Sequence, residues 1–149
     1  MLSHYNNACF VDTSFFYAIL DQSDKQHLAC KAVIDEARRQ ARSLVSTPLV
    51  IAETHALLLY RIGQHVATPW LRDIRLWVDV LPVSLEIEQQ AIEIIQIYAD
   101  QEFTFSDAVS FATIDAFKIP VALSVDKHFV IYRGNFLTVP LTVPELPPP

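Results

Sequence analysis

A short apolar run, residues 9–11, ends in a carboxylate at Asp12, and this pattern limits the folds open to the chain. Thr13 and Ser14 follow, and residues 15–20 then have helical character. This order predicts a strand that carries Asp12 at its C-terminal end, at the entry to a helix. Because ligands bind beyond the carboxyl ends of the strands in open parallel α/β sheets, Asp12 is a candidate site residue. The alternative is that Asp12 only caps the helix that follows.

Strand and helix patterns alternate along the rest of the chain. Strands are predicted over residues 9–12, 43–47, 78–83, 121–125 and 136–139. Helices are predicted over residues 13–20, 24–41, 48–62, 85–101 and 107–114, and less clearly over 64–77 with an interruption at Pro69. The alternation predicts an α/β fold, a doubly wound and mostly parallel sheet of four to five strands with right-handed crossovers.

Length and composition predict one globular domain. The chain has 149 residues, of which 52% are hydrophobic and 19% are charged, so disorder is disfavoured. Residues 140–149 are rich in proline and are predicted as an extended, non-helical tail, which leaves residues 1–139 as the domain. The net charge of -6 argues against non-specific DNA binding as the main function.

The cysteines and the apolar segments bear on localisation. Cys9 and Cys30 do not form a C-x-x-C pair, and we expect both to be buried free thiols in a reducing compartment. Residues 1–7 are polar and lack the apolar core of a signal peptide. No apolar run approaches the roughly 20 residues that span a bilayer. We therefore expect a cytoplasmic protein without a membrane partner.

Three further acids are placed to join Asp12. Glu53 lies in residues 48–62, a helix so apolar that we expect it to be buried all round, where a lone carboxylate is costly. Asp126 follows the fourth predicted strand, although a turn alone could account for it. Asp107 begins a helix, where the helix dipole alone favours an acid. Acids that meet at one sheet edge repel one another, which is hard to explain as structure alone.

A divalent cation would remove that repulsion. Carboxylate ligands without cysteine or histidine suit Mg²⁺ or Mn²⁺ rather than Zn²⁺. Such an ion activates a water molecule and stabilises the charge that builds on a phosphodiester during attack. The histidines are scattered and form no Ser-His-Asp arrangement, so we expect them to be structural or on the surface. They include His27, His55, His65 and His128.

Four segments of this sequence resemble the PIN-domain family, in particular its VapC-type toxin branch. They are VDTS at residues 11–14, VIAE at 50–53, FSDA at 105–108 and SVDKHF at 124–129. Each segment alone is a weak signal. Together they occur in the family's order and in family-like elements, and the resemblance extends from about Cys9 to Val139.

The resemblance implies a three-layer α/β/α PIN-like fold and an endoribonuclease that depends on Mg²⁺ or Mn²⁺. It implies catalytic and metal-binding roles for an acidic quartet, with Thr13 or Ser14 as a supporting polar group. The quartet is Asp12, Glu53, Asp107 and Asp126. It also implies an RNA substrate, a homodimer and, for the toxin of a toxin-antitoxin pair, a cognate antitoxin protein.

Other functions stay open at this point. One is a catalytically silent PIN module that binds RNA or protein, which a missing acid would have favoured, and another is a non-toxin RNA-processing nuclease. A phosphatase or phosphotransferase would need an Asp-x-Asp arrangement after the first strand, where Thr13-Ser14 stands instead. Lys31, Arg38 and Arg42 on the second helix are either an RNA contact or a solvated helix face.

Overall fold

A computed structural model of the chain describes residues 5–149 and contains one five-stranded sheet. Its strands are β1 (Ala8–Val11), β2 (Ser43–Ser46), β3 (Asp79–Val80), β4 (Val121–Ser124) and β5 (Leu137–Pro140). They are ordered β3-β2-β1-β4-β5, and every neighbouring pair is parallel. The prediction of a mostly parallel sheet is therefore confirmed, with β1 at its centre.

Helices flank this sheet in the three-layer α/β/α arrangement. They are α1 (Thr13–Leu20), α2 (His27–Arg39), α3 (Pro48–Arg61), α4 (Gln64–Asp73), α5 (Leu85–Ile97), α6 (Phe105–Phe117) and α7 (His128–Ile131), with a 3₁₀ turn at Ile74–Leu76. Pro69 lies inside α4 without ending it, so the predicted interruption is wrong. Within residues 5–149, no helix is long and apolar enough to cross a membrane.

The central strand explains the apolar run that precedes Asp12. All of Ala8–Val11 is inaccessible to solvent, because neighbouring strands cover both edges of β1 and helices cover the faces of the sheet. A strand that is buried on both faces has a continuous apolar sequence rather than an alternating one. The buried aromatic rings of Phe10, Phe15 and Phe111 fill the core around it.

Helix α3 differs from its prediction. It packs against α1, α4 and α6, and only part of its surface is covered. Its buried residues are Val50, Ile51, Thr54 and Leu58. Glu53 lies on the exposed side of the helix, and Tyr60 is 90% exposed. The prediction of a helix that is buried all round is wrong, because a uniformly apolar sequence does not show which face the neighbouring helices cover.

The proline-rich residues 140–149 are non-helical, as predicted, and they lie against the domain. Leu146 is only 7% exposed, and Val143 packs against the core. The Arg42 guanidinium donates a hydrogen bond to the backbone carbonyl of Pro147. Arg42 is therefore 8% exposed, and its prediction as part of an exposed basic face is wrong. The division of the chain at residue 139 stays a prediction.

Candidate active site

The candidate site lies at the carboxyl edge of the sheet, where β1 and β4 end side by side. Val11 pairs with Leu123, and the backbone N–H of Asp12 donates to the Leu123 carbonyl over 3.1 Å. Asp126 follows β4 by two residues. The parallel pairing of the two strands thus brings Asp12 and Asp126 to one edge, as the sequence pattern predicts.

Asp12 is both a helix cap and a buried carboxylate. Its Oδ2 atom accepts hydrogen bonds from the Ser14 backbone N–H at 3.3 Å, the Ser14 hydroxyl at 2.7 Å and the Ser124 hydroxyl at 3.1 Å. The residue is 4% exposed. Burial raises the pKa of Asp12 to about 7, the charges of Asp107 and Asp126 act in the same direction, and the serine hydrogen bonds oppose them. Asp12 therefore caps α1, and it is also a buried carboxylate on which the charges of two other acids act.

Asp107, at the start of α6, is likewise both a capping residue and a buried carboxylate. It forms a capping box with Thr104: the Thr104 N–H donates to Asp107 Oδ2 at 3.2 Å, and the Asp107 N–H donates to Thr104 Oγ1 at 3.0 Å. Burial raises the pKa of Asp107, and the charge of Asp126 raises it further. The Thr104 N–H and the His128 ring oppose that rise.

His128 joins the two acids, which the sequence did not predict. Its Nδ1 atom lies 3.1 Å from Asp107 Oδ2 and 3.6 Å from Asp126 Oδ1. One donor atom from each of Asp107, Asp126 and His128 lies within 4.8 Å of the others, and this is the one such group among residues 5–149. We expected His128 to be a structural or surface residue, and that expectation did not include its contact with the two acids. The position of His128, two residues after Asp126, could have indicated that the two side chains lie close together.

Glu53 approaches the same acids from α3 but stays outside that close group. Its side chain is exposed, and partial loss of hydration raises its pKa. The charges of Asp107 and Asp126 raise this pKa further, and the nearby Thr13 hydroxyl lowers it. Glu53 is therefore an exposed acid that interacts electrostatically with Asp107 and Asp126, and it is not the buried charge that the sequence suggested.

Hydroxyl groups tie the elements of the site together. The Thr13 hydroxyl lies 3.2 Å from the Thr54 hydroxyl and 3.5 Å from the Val50 carbonyl, so it links α1 to α3. Ser14 Oγ accepts from the Val125 N–H at 3.1 Å, and Ser124 Oγ accepts from the Asp126 N–H at 3.0 Å. Of the two predicted supporting residues, Ser14 bonds Asp12 directly and Thr13 contacts α3, and their supporting role stays a prediction. The contact from Ser124 was not predicted.

The hydrogen bonds leave one oxygen of each aspartate free. Protein donors bind Asp12 Oδ2, Asp107 Oδ2 and Asp126 Oδ1. Within the described part of the chain, no hydrogen bond reaches the other oxygen of any of the three. Three carboxylates that repel one another and keep an oxygen free suit a hard divalent cation such as Mg²⁺ or Mn²⁺. The donor set therefore fits the predicted metal.

Comparison with known proteins adds independent findings. A family model described as the PIN domain matches residues 9–135. The chain is 31% identical over 137 residues to ribonuclease VapC26 of Mycobacterium tuberculosis, and the match covers 87% of this chain and 98% of that protein. It is 33% identical over 122 residues to the 23S rRNA-specific endonuclease VapC20 of the same species, covering 80% of this chain and 90% of VapC20.

A solved structure shows the same fold. The crystal structure of Mycobacterium tuberculosis VapC20, described as a sarcin-ricin loop cleaving toxin, matches this chain with a TM-score of 0.74 and 31% sequence identity. The match covers 85% of this chain and 96% of that one. The region matched by the family model includes the whole acidic quartet and His128.

Proposed function

Because the chain belongs to the PIN-domain family, we propose that it is a metal-dependent endoribonuclease and the toxin of a toxin-antitoxin pair. The similar proteins VapC26 and VapC20 carry the names ribonuclease and endonuclease, which supports RNA as the substrate. The observation that carries the proposal is that Asp12 and Asp126 follow neighbouring parallel strands, while Asp107 and Asp126 lie close together beside them. Asp12 lies outside that close group, but the charges of both acids act on it. Each of these aspartates has one oxygen held by protein donors and one oxygen free.

We assign the metal-binding role to Asp12, Asp107 and Asp126, with Glu53 completing the site directly or through water. The metal is Mg²⁺ or Mn²⁺, and when bound it supplies a polarised water and neutralises charge on the phosphodiester. Ser14 and Ser124 fix the orientation of Asp12. Glu53 lies on the solvent side, where its carboxylate can accept a hydrogen bond from an incoming water.

The proposal extends to partners and cell biology. Besides RNA, the partners are a cognate antitoxin protein and a second copy of the chain in a homodimer, and the protein acts in the cytoplasm. Two alternatives are a silent PIN module that binds RNA or protein and a non-toxin RNA-processing nuclease. The presence of all four acids argues against the silent module.

The first test is cleavage by the purified protein. A mixed RNA pool and intact ribosomes serve as substrates, the ribosomes because the similar protein VapC20 is named for 23S rRNA. Each substrate is incubated with Mn²⁺, with Mg²⁺ or with EDTA. We expect cutting with metal and none with EDTA. Asp12→Asn should abolish cutting without loss of folding, whereas the matched change Asp100→Asn, at an exposed position, should have no effect.

Two outcomes would count against the proposal. If Asp12→Asn cuts at the wild-type rate under conditions where EDTA stops the wild type, the assignment of Asp12 is wrong. If the wild type cuts neither substrate in either metal, the silent module becomes the better explanation. Growth arrest of a bacterial host on expression of the wild type, but not of Asp12→Asn, would separate a toxin from a processing nuclease, and sedimentation would test the homodimer.

A further inference from the structure

His128 contacts two of the proposed metal ligands through two different groups. Its ring Nδ1 lies 3.1 Å from Asp107 Oδ2, in hydrogen-bonding geometry. Its backbone N–H donates to Asp126 Oδ1 over 2.9 Å. One residue therefore connects the acid at the start of α6 with the acid that follows β4.

The ring of His128 is held in place by its surroundings. It packs edge-on against the Phe103 ring, with centroids 5.2 Å apart and an interplanar angle of 70°. Its side chain is 19% exposed. Because His128 begins the short helix α7, its backbone position is also fixed by the hydrogen bond from the Tyr132 N–H to its carbonyl at 3.0 Å. A fixed ring can hold a carboxylate in one orientation.

The contacts of Asp107 show what that orientation achieves. The Thr104 N–H and the His128 ring both approach the same oxygen, Oδ2, at 3.2 and 3.1 Å. Two donors on one oxygen fix the rotation of the carboxylate and leave Oδ1 for another ligand. Hydrogen bonds to ligating carboxylates tune metal affinity in this way.

We propose that His128 is a positioning residue, whose ring N–H holds Asp107 Oδ2 so that Asp107 Oδ1 is presented to the divalent cation. The inference rests on the metal site of the proposed function but not on RNA cleavage. In this arrangement the imidazole is not itself a ligand, and the hydrogen on Nδ1 is the donor. The backbone N–H of the same residue gives Asp126 an equivalent support that any side chain at this position would retain.

The test measures Mn²⁺ binding by calorimetry and by electron paramagnetic resonance, without RNA. His128→Leu keeps an apolar contact for Phe103 but lacks a donor, and we expect it to weaken Mn²⁺ binding roughly 10- to 100-fold. His128→Asn places an amide N–H near the position of Nδ1, and we expect binding within about threefold of the wild type. His65→Leu, at an exposed position on α4, is the matched control and should bind like the wild type. Circular dichroism and thermal unfolding check that each variant is folded.

A second measurement needs no variant of His128. Spin-echo spectra of the wild type with bound Mn²⁺ should show no directly coupled imidazole nitrogen. A coupled nitrogen would overturn the proposal by making His128 a ligand. Wild-type affinity in folded His128→Leu, or equal weakening in the Asn and Leu variants, would also overturn it.

The two proposals can fail separately. If the wild type binds Mn²⁺ and the Asn variant is rescued but no RNA is cut, the endoribonuclease proposal fails and the role of His128 stands. If RNA is cut and His128→Leu binds Mn²⁺ normally, only the role of His128 fails.

Discussion

The Ser124 hydroxyl donates a hydrogen bond to Asp12 Oδ2 over 3.1 Å, although the two residues are 112 positions apart in the sequence. Ser124 is the last residue of β4, and Asp12 follows β1 directly. Because these strands are parallel neighbours, their ends meet, and a serine at one end can fix a carboxylate at the other. The same serine oxygen accepts the Asp126 N–H, so it supports two acids of the site.

Ser124→Ala should impair both stability and activity. It removes a donor from Asp12 and the acceptor of the Asp126 N–H, and an unsatisfied buried group costs about 1–3 kcal/mol of unfolding free energy. We expect cleavage to fall roughly 10-fold or more because Asp12 loses part of its support. Thr113→Val removes another buried hydroxyl, which bonds only a carbonyl within α6, and should leave cleavage unchanged. Equal effects of the two changes would contradict the role of Ser124.

Glu53→Gln should reduce cleavage while leaving the fold stable. Glu53 is exposed, so losing its charge removes little folding energy, but the charge faces Asp107 and Asp126. We expect cleavage to fall roughly 10- to 100-fold at fixed Mn²⁺, with a melting temperature close to that of the wild type. Glu93→Gln, an exposed change on α5, is the matched control. Unchanged cleavage in Glu53→Gln would remove Glu53 from the site.

The metal-free protein should lose stability as the pH rises from about 4 to about 7, the range in which Asp12 keeps its proton only in the folded state. Burial raises the pKa of Asp12 to about 7, whereas an unfolded aspartate loses its proton near pH 4. Between these values the folded state binds more protons than the unfolded state, so the unfolding free energy falls as pH increases. The stability of Asp12→Asn relative to wild type should therefore grow from about pH 4 to about pH 7.

Chemical denaturation at several pH values in EDTA measures this difference. Saturating Mn²⁺ should restore wild-type stability at about pH 8, because the ion binds only the folded site. A difference between wild type and Asp12→Asn that does not change with pH would show that Asp12 is not destabilised by burial.

Leu146→Ala should show that the proline-rich segment contributes to folding. Leu146 is buried to 7% exposure, and replacing a buried leucine with alanine costs about 2–4 kcal/mol. Leu141→Ala, at a position that is 40% exposed, should cost only about 0.5 kcal/mol. Cleavage per folded molecule should not change in either variant. Equal unfolding free energies for the two variants would mean that burial of the Leu146 side chain does not stabilise the fold.

The strands, and the acids that follow strands or begin helices, could be predicted because each is encoded by residues that are neighbours in the sequence. The apolar run before Asp12 indicates a strand buried on both faces, and α1 begins and ends at the predicted residues, Thr13 and Leu20. Asp107 was predicted to begin a helix, and it lies in the first turn of α6, where it forms the capping box with Thr104. The helix α7 was missed because its four residues are too few to show a periodic pattern.

The alternation of strands and helices, the parallel sheet and the candidate acids could be predicted from the sequence, because burial and capping leave patterns in neighbouring residues. Packing in three dimensions sets which side of α3 is covered, leaves Glu53 exposed and buries Leu146 in the core. It also brings the Ser124 hydroxyl to Asp12 and the His128 ring to Asp107. These contacts join residues that are far apart in the chain, and their geometry depends on how the elements pack, which no local pattern records.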